Sequence, residues 1–224
     1  VRARHAALVV LRDVAVGQAG VAGAAARQIE NPELPSLELR VGAEQIDCDF
    51  GVVGRFHAAH NAAQFEALAK KVRNQPKGLE VEAHVVPRSE QKSEIDTDAY
   101  FGGVVYARHA SIDPARYHQG LLERARASGA DVIARCPATA IENDGARFRV
   151  TTTRGTTSAR DVVIATDGYT GPLTPWLQRR VIPIGSYVIA TEPMPEGEVA
   201  KLIPRNRIVS DTRKIVYYYR ASAD

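Results

Sequence analysis

The stretch DVVIATDGYTG at 161–171 constrains the possible fold of this chain more than any other. Its apolar run VVI predicts a short strand that is buried on both faces. Ala165 and Thr166 are small, and Asp167-Gly168 is typical of a turn in which Gly168 takes a positive φ. Such a strand end lets a flat ligand approach the backbone, and ligands of open α/β sheets bind beyond the carboxyl ends of strands. The stretch alone also fits an ordinary core strand, so its neighbours must decide.

The composition is that of an ordinary globular protein. The chain has 224 residues, 45% hydrophobic and 25% charged, which suits one large or two small domains. A net charge of +3 without a basic run gives no sign of a nucleic-acid partner, and no apolar run is long enough to span a membrane. With no export signal at the N-terminus, we expect a cytoplasmic protein. Cys48 and Cys136 predict two buried free thiols, and His57 and His60 lack the carboxylate pattern of a metal site.

The first part of the chain approaches a dinucleotide-binding motif without matching it. Gly17, Gly20 and Gly23 are spaced G-x-x-G-x-x-G, whereas the motif is G-x-G-x-x-G. If the last two glycines are aligned with the motif, Gln18 replaces the first glycine, which makes the tight turn. A helical lead-in, or a segment that is not native to the fold, is the alternative. We therefore interpret 1–44 as an irregular or non-native N-terminal segment.

Periodicity after residue 45 predicts a mixture of helices and strands. Asn61 is an N-cap before an amphipathic pattern, and Asp113 caps a second helix that ends at Gly129. Turn residues at 143–145 and 154–155 predict an antiparallel meander that leads directly into the VVI strand. The predicted helices are 62–73, 114–128, a short helix around Trp176, and 196–202; the predicted strands are 46–50, 54–60, 100–106, 132–135, 138–142, 148–153, 156–159, 181–191, 207–210 and 215–220.

Several motifs and their order point to a known family. The motifs are QIDCDF (45–50), SIDPARYHQGLLERARASGADV (111–132), CPATAI (136–141), ATDGYTG (165–171), RVIPIGSYVIATEP (180–193) and YYYRASAD (217–224). With the helix–strand–meander order, they resemble the flavin-dependent oxidoreductases of the D-amino-acid-oxidase and glycine-oxidase type. Within that family, the likeness is to the gamma-glutamylputrescine oxidoreductase branch.

The resemblance implies an α/β fold of mixed α+β character. One part would be a Rossmann-like FAD-binding domain with an inserted β-meander, at 108–172. The other would be a substrate domain with a mixed or antiparallel sheet, at 45–107 and 173–224. Family members begin with an intact G-x-G-x-x-G and continue beyond YYYRASAD, so the resemblance also implies an internal fragment of a longer enzyme.

The resemblance assigns FAD contacts to five residues. The backbone of Ala138 would touch the adenine, and the strand end of Ala165, Thr166, Asp167 and Gly168 would close over the dinucleotide. The implied reaction oxidises the C–N bond of an amine or amino acid by hydride transfer to the flavin, and water then hydrolyses the imine. Since the flavin supplies the hydride acceptor, no catalytic protein residue and no metal are expected.

The YYYR run is the best candidate for the substrate side. On a strand, Tyr217 and Tyr219 share one face, and Tyr218 and Arg220 share the other. One pair could line the flavin cavity, where an aromatic wall and an arginine would hold a carboxylate. Alternatively, the tyrosines pack a sheet and Arg220 is solvated. Tyr187 is a similar candidate, so the predicted substrate residues are Tyr187, Tyr219 and Arg220. The alternative function is that of a truncated, non-catalytic fragment acting at most as a partial nucleotide- or substrate-binding module.

Overall fold

The structure consists of two compact units. It is a computed structural model that describes residues 7–11, 41–183, 185 and 187–222. Within these residues, unit 1 comprises 7–11 and 129–189, and unit 2 comprises 41–128 and 190–222. None of the helices in the described part of the chain is long and apolar enough to cross a membrane.

The elements confirm the predicted mixed α/β class. The helices are α1 (Ala62–Arg73), α2 (Pro114–Ala127), α3 (Pro175–Gln178) and α4 (Glu196–Leu202), with 3-10 turns at Gln91–Ser93 and Asp167–Tyr169. The strands are β1 (Ala7–Leu11), β2 (Arg55–Ala58), β3 (Ala83–Val86), β4 (Gly103–Tyr106), β5 (Ala138–Asn143), β6 (Phe148–Thr152), β7 (Gly155–Ala159), β8 (Asp161–Ala165), β9 (Ile208–Asp211) and β10 (Tyr218–Tyr219).

Unit 2 is built on a five-stranded mixed sheet in the order β10-β9-β2-β4-β3. The central strand β2 pairs parallel with β9 and antiparallel with β4. Buried Phe56, Val105 and Val209 form part of the core on one face of this sheet. A second core cluster contains Leu68 of α1 and Val104 of β4, because the apolar stripe of α1 packs on the sheet.

Local capping explains why α1 and α2 begin where the sequence predicts. The Asn61 side chain accepts a hydrogen bond from the backbone N–H of Gln64 at 2.9 Å. The Asp113 side chain accepts from the N–H groups of Ala115 and Arg116 at 2.8 and 3.0 Å. These bonds satisfy backbone donors that the first turn of a helix leaves unpaired.

The predicted strand at 46–50 is wrong, because this segment packs as an irregular loop against α2. Gly120 lets the helix approach the loop so closely that an added Cβ would overlap the Ile46 side chain. The backbone N–H of Asp113 donates to the Cys48 carbonyl at 2.7 Å, and Gly51 forms an isolated bridge with Ser111. The segment therefore satisfies its polar backbone against the α2 lead-in and not in a sheet.

Unit 1 contains the predicted meander, β5-β6-β7, and the predicted strand β8. Strand β8 pairs with β1 in antiparallel fashion, so that Ala165 lies opposite Ala7. Burial of β8 on both faces was predicted wrongly, since Val163 is 46% exposed and its two neighbours are half-buried. An apolar run is buried on both faces only where a layer covers each face. The glycines at 17–23 lie outside the described residues.

Two further predicted strands are wrong. Residues 132–135 form no strand, and Val132 and Ile133 are exposed. The described residues of 181–191 also lack strand structure, and Tyr187 and Ile189 are 93% and 94% exposed. Both predictions rested on apolar and β-branched residues, and that propensity forms a strand only where a neighbouring edge supplies partners.

The predicted domain limits differ from the two units in two places. Helix α2 belongs to unit 2, although 108–172 was assigned to the FAD-binding domain, and residues 173–189 belong to unit 1. The compact units are defined by contacts alone. The assignment of cofactor and substrate roles to 45–107, 108–172 and 173–224 therefore stays a prediction.

Candidate functional site

The end of β8 is a short, hydrogen-bonded turn with exposed small residues. Ala165 is exposed, Thr166 is half-buried, and a 3-10 turn follows. The Thr170 hydroxyl donates to the Asp167 carbonyl at 2.7 Å and lies 2.7 Å from the Thr166 hydroxyl. Because the single Thr170 proton is used, Thr166 donates the bond between the two hydroxyls. The strand end is therefore held in one conformation by its own side chains.

The positive φ predicted at Gly168 belongs to Asp167, where φ is +43°. Gly168 is part of the 3-10 turn, and a Cβ added there would meet only Pro183, at 3.8 Å. Aspartate tolerates the left-handed region better than most residues do. The turn thus presents the Asp167 carboxylate to solvent and leaves room beside Gly168.

Ala138 begins β5 at an irregular point of the meander. It pairs with Thr152, and a bulge separates it from Ala140 in the register with β6. Half-buried Cys136, just before it, donates to the Thr152 hydroxyl at 3.2 Å, so of the two thiols predicted to be buried only Cys48 is buried. A bulge changes the direction of a strand and the exposure of its backbone. All five predicted FAD contacts lie in unit 1.

In unit 2, the phenol of Tyr219 meets that of a second, buried tyrosine. The hydroxyls of Tyr100 and Tyr219 lie 3.2 Å apart, and Tyr100 is 5% exposed. Burial, together with the Tyr100 hydrogen bond, raises the pKa of Tyr219 far above its ordinary range. The Tyr219 phenol is therefore neutral at physiological pH.

A fully buried carboxylate organises the β9–β10 turn beside this pair. Asp211 accepts hydrogen bonds from the backbone N–H groups of Arg213 and Tyr217 at 3.1 and 3.2 Å, and it binds the Arg213 guanidinium. That guanidinium lies over the rings of Tyr217 and Tyr100, at 5.2 and 5.7 Å. We call these residues the tyrosine–arginine cluster: Tyr100, Asp211, Arg213, Tyr217 and Tyr219.

A pocket of about 380 Å³ opens next to the cluster. It is lined by residues 95–97, 99–100 and 202–203 and by Tyr219. Its walls come from the loop after the first 3-10 turn, the end of α4, and β10. Sequence reasoning found Tyr219 but missed Tyr100, Asp211 and Arg213, since nothing in the sequence shows that these distant segments meet.

The other predicted substrate residues do not join the cluster. Tyr187 lies in unit 1 and is almost fully exposed. Arg220 follows β10 and is half-buried. The pKa of the Asp113 carboxyl is lowered first by the Arg116 backbone N–H and also by the Ala115 N–H and the charges of Arg116 and Arg220. The charge of Arg220 thus acts on Asp113 before α2, and Arg220 is not among the residues of the tyrosine–arginine cluster.

His57 of β2 and His60, which follows β2, each form a hydrogen bond with a side-chain hydroxyl group. His57 Nδ1 lies 2.9 Å from the Ser210 hydroxyl, and His60 Nδ1 lies 2.8 Å from the Thr212 hydroxyl. Among the residues that the structure describes, no group of three or more potential ligands could hold a metal ion.

We expect Asp211→Asn to lower the free energy of unfolding by about 2 kcal/mol, because an amide cannot accept all the bonds that the buried carboxylate accepts. The measurement is a urea titration followed by circular dichroism. Asp161→Asn is the control, since Asp161 is 61% exposed and its ion pair with Arg160 contributes little. Equal effects of the two substitutions would contradict the structural role of Asp211.

Sequence comparison places the chain in a family. The FAD dependent oxidoreductase family, DAO, matches residues 19–224, and the chain belongs to this family of FAD-dependent enzymes. The chain is 29% identical over 186 residues to gamma-glutamylputrescine oxidoreductase of Escherichia coli (strain K12), covering 83% of this chain and 43% of that protein. It is 32% identical over 137 residues to a probable oxidoreductase, OrdL, of Rhizobium meliloti (strain 1021), covering 61% and 32%.

Solved structures agree on the fold. Glycine oxidase from Geobacillus kaustophilus superposes with a TM-score of 0.55 and 18% identity, over 70% of this chain and 41% of that one. L-Proline dehydrogenase from P. horikoshii gives a TM-score of 0.57 with 14% identity, over 84% and 55%. The match to the DAO family confirms the predicted family and cofactor. The chain spans less than half the length of the curated relatives that it matches.

The five predicted FAD contacts would suit one end of FAD better than the other. Ala138 and the turn at 165–168 include no lysine or arginine and one carboxylate, Asp167. Small residues, a hydroxyl and a carboxylate suit the neutral adenosine part, with its ribose hydroxyls and amino group. The pyrophosphate is normally held by free backbone N–H groups at a helix N-terminus, which this set does not supply.

Proposed function

We propose that the chain belongs to an enzyme that oxidises the C–N bond of a small amine or amino acid and releases an imine, which water hydrolyses. The observation that supports this most is the DAO family match over residues 19–224. Bound FAD supplies the hydride acceptor. The small net charge and the two unpaired thiols are consistent with a cytoplasmic enzyme of small-molecule metabolism, which remains part of the proposal.

The residues of this chain would bind and orient. Ala138, Ala165, Thr166, Asp167 and Gly168 would hold the adenosine end of FAD. The small side chains give a flat ring access to the backbone, and the ordered turn keeps the Asp167 carboxylate in one place for ribose hydroxyls. These contacts fix position and carry no chemical step.

On the substrate side, we propose that Tyr219 provides an aromatic wall and Arg220 a carboxylate-binding cation; Tyr187 belongs to the other unit and stays a prediction from the sequence. The Tyr219 phenol is fixed by Tyr100, so its ring does not need to be ordered when a substrate binds. Arg220 has the planar fork of donors that suits a carboxylate. An amino acid would bind Arg220 through its carboxylate, whereas a simple amine would not.

The test is to express the gene product from its own start codon to its own stop codon with added FAD, and to mix it anaerobically with amines and amino acids. The proposal expects flavin bleaching by at least one of them. We expect Arg220→Leu to lower the affinity for an amino-acid substrate by about tenfold. The affinity for the decarboxylated amine should not change, because only the amino acid has a carboxylate that can bind Arg220. No bleaching by any such compound, with FAD demonstrably bound, would contradict the function.

A second candidate is that this polypeptide by itself is a non-catalytic module that binds a nucleotide or a substrate in part. It is supported by the coverage, since the chain matches 43% of the length of the Escherichia coli relative. Ligand binding without turnover by residues 1–224, together with turnover by the product of the complete reading frame, is its expected result.

A further inference from the structure

One face of the unit 2 sheet carries a half-buried arginine that has no acidic partner. Within the part of the chain that the structure describes, Arg55 of β2 forms no ion pair, and its Nε is shielded from solvent without a hydrogen-bond acceptor. By contrast, half-buried Arg207 of the same unit binds the Glu94 carboxylate at 2.7 Å. A half-buried charge without a counter-ion costs free energy, which a bound anion would offset.

Strand pairing places aromatic and imidazole rings around this arginine. Arg55 lies opposite Tyr106 of β4, and its guanidinium carbon lies 5.0 Å from the centre of the Tyr106 ring. The His109 ring stacks on the same tyrosine, with 5.3 Å between the ring centres. Because alternate residues of a strand share a face, His57 lies on the same side of the sheet as Arg55. We call these three side chains the arginine–histidine group: Arg55, His57 and His109.

The protein leaves donors of this group unused. A guanidinium stacked on a ring keeps the N–H donors at its edge free for other partners. His57 uses Nδ1 for the Ser210 hydroxyl, 2.9 Å away, and its Nε2 has no partner among the described residues. The ring nitrogens of His109 also lack a hydrogen-bond partner in that part of the chain. Three side chains can therefore donate to the oxygens of one ligand.

Both imidazoles of the group are neutral near pH 7. The pKa of His57 and that of His109 are lowered first by burial and then by the nearby Arg55 charge. An anion bound beside Arg55 would oppose the second cause and raise both pKa values. Binding of an anion would therefore take up protons, and the affinity should rise as the pH falls through the histidine range.

The other charges around His57 leave the group positive. Lys71, in the last turn of α1, also lowers the pKa of His57, whereas the Ser210 hydrogen bond and the Asp211 carboxylate act in the opposite direction. Asp211 is buried and bound to Arg213, so it is not a counter-ion for the group. An anion would thus meet attraction here and no carboxylate that faces it from within the group.

We propose that the arginine–histidine group binds a phosphate group, with Arg55 as the permanent cation and the two histidines as donors to the remaining oxygens. Phosphate has more acceptor oxygens than a carboxylate has, so it can engage an arginine fork and two imidazoles at once. The inference is independent of the proposed oxidation, because none of the three residues is a predicted contact of FAD or of the substrate.

The probes are inorganic phosphate, glycerol 3-phosphate and acetate, titrated into residues 1–224 without FAD at about pH 6.5, the ordinary pKa of histidine. The readout is the set of histidine side-chain NMR signals. We expect phosphate to shift the signals of His57 and His109 and to leave that of exposed His118 on α2 unchanged. A tighter response to inorganic phosphate would identify the free ion as the ligand, and a tighter response to glycerol 3-phosphate would identify a phosphoester.

The pH dependence is measured with sulfate, whose charge stays constant. Its affinity should fall as the pH is raised from about 6 to about 8, because the two imidazoles then lose the protons that binding favours. Arg55→Gln should weaken phosphate binding by about tenfold, since it removes the charge-assisted bonds. His109→Gln, a second variant that leaves the strands intact, should also lower the affinity.

The matched control is Arg88→Gln. The Arg88 guanidinium also lies over an aromatic ring of unit 2, that of Phe101 at 4.3 Å, and its charge is not among the causes that shift the pKa of His57 or His109. Phosphate affinity should therefore stay unchanged in this variant. Phosphate without effect on the two histidine signals, equal affinities of Arg55→Gln and Arg88→Gln, an unchanged affinity of His109→Gln, sulfate binding that does not weaken with pH, or acetate binding as tight as that of phosphate would overturn the inference.

Discussion

Residues 1–224, expressed and purified without added cofactor, will emerge without flavin. The predicted FAD contacts, Ala138 and 165–168, suit the adenosine end and offer the pyrophosphate neither a cation nor a helix N-terminus. The one candidate phosphate turn, Gly17 to Gly23, has Gln18 where the tight-turn glycine belongs. Immobilising a ligand costs about 4 kcal/mol or more, which contacts to one end of the molecule do not offset.

The measurement is the visible absorbance of the purified protein, before and after incubation with excess FAD and gel filtration. Both samples should be colourless. The sample incubated with excess FAD is included because a protein able to bind FAD could have lost its cofactor during expression or purification. Exposed Ile182, Val188 and Ile189 predict self-association, which the same gel filtration would detect. A yellow protein with stoichiometric flavin would show that 17–23 is a working phosphate loop, and our interpretation of the N-terminal segment would then be wrong.

Gly102→Ala should strongly destabilise unit 2, with a loss of about 4 kcal/mol from backbone strain and overpacking combined. Gly102 has a φ of +84°, and an added Cβ would lie 2.6 Å from the Val86 carbonyl oxygen and 2.9 Å from the Arg88 nitrogen. Neither backbone atom can yield easily. The Gly102 N–H is bonded to Gln91 and its carbonyl to the Ala59 N–H.

Gly78→Ala separates the two causes, since Gly78 has nearly the same φ, +81°, and nothing within 4 Å of an added Cβ. Strain alone should cost about 1–2 kcal/mol there. Both free energies of unfolding come from urea titrations followed by circular dichroism. If the two variants lost the same stability, the contact with β3 would be irrelevant and the dihedral angle would account for the whole effect.

The elements that the sequence predicts correctly are those whose signals are local. Helices α1 and α4 have the predicted bounds, and α2 begins at Pro114 behind its Asp113 cap. The meander turns at 143–145 and 154–155 fix β5 to β7 in the same way. Each of these depends on residues within a few positions of one another, which a sequence shows directly.

Strand predictions fail where a partner strand determines whether a segment becomes a strand. The runs at 132–135 and 181–191 have strand-like composition and no strand in the described residues, whereas β3, with its ordinary AHVV, pairs along its whole length with β4. In the candidate site, too, the local signal was found and the distant contact was missed. The YYYR run identified Tyr219, but its partner Tyr100 lies 119 positions away, and no periodicity connects the two.

The parallel pairing of β2 with β9 joins two strands that the segment 129–189 separates in the sequence, with Arg55 opposite Ile208. On the ribosome, β2 therefore emerges long before the strand that completes its ladder, and the segment 129–189 is synthesised in between. Since loop closure over such a distance is slow and unpaired edges promote aggregation, the nascent chain depends on Val105 of β4 and on Ile95 and Tyr100 to shield Phe56 meanwhile. Translation speed and chaperone supply, more than equilibrium stability, should then limit how much native protein a cell obtains.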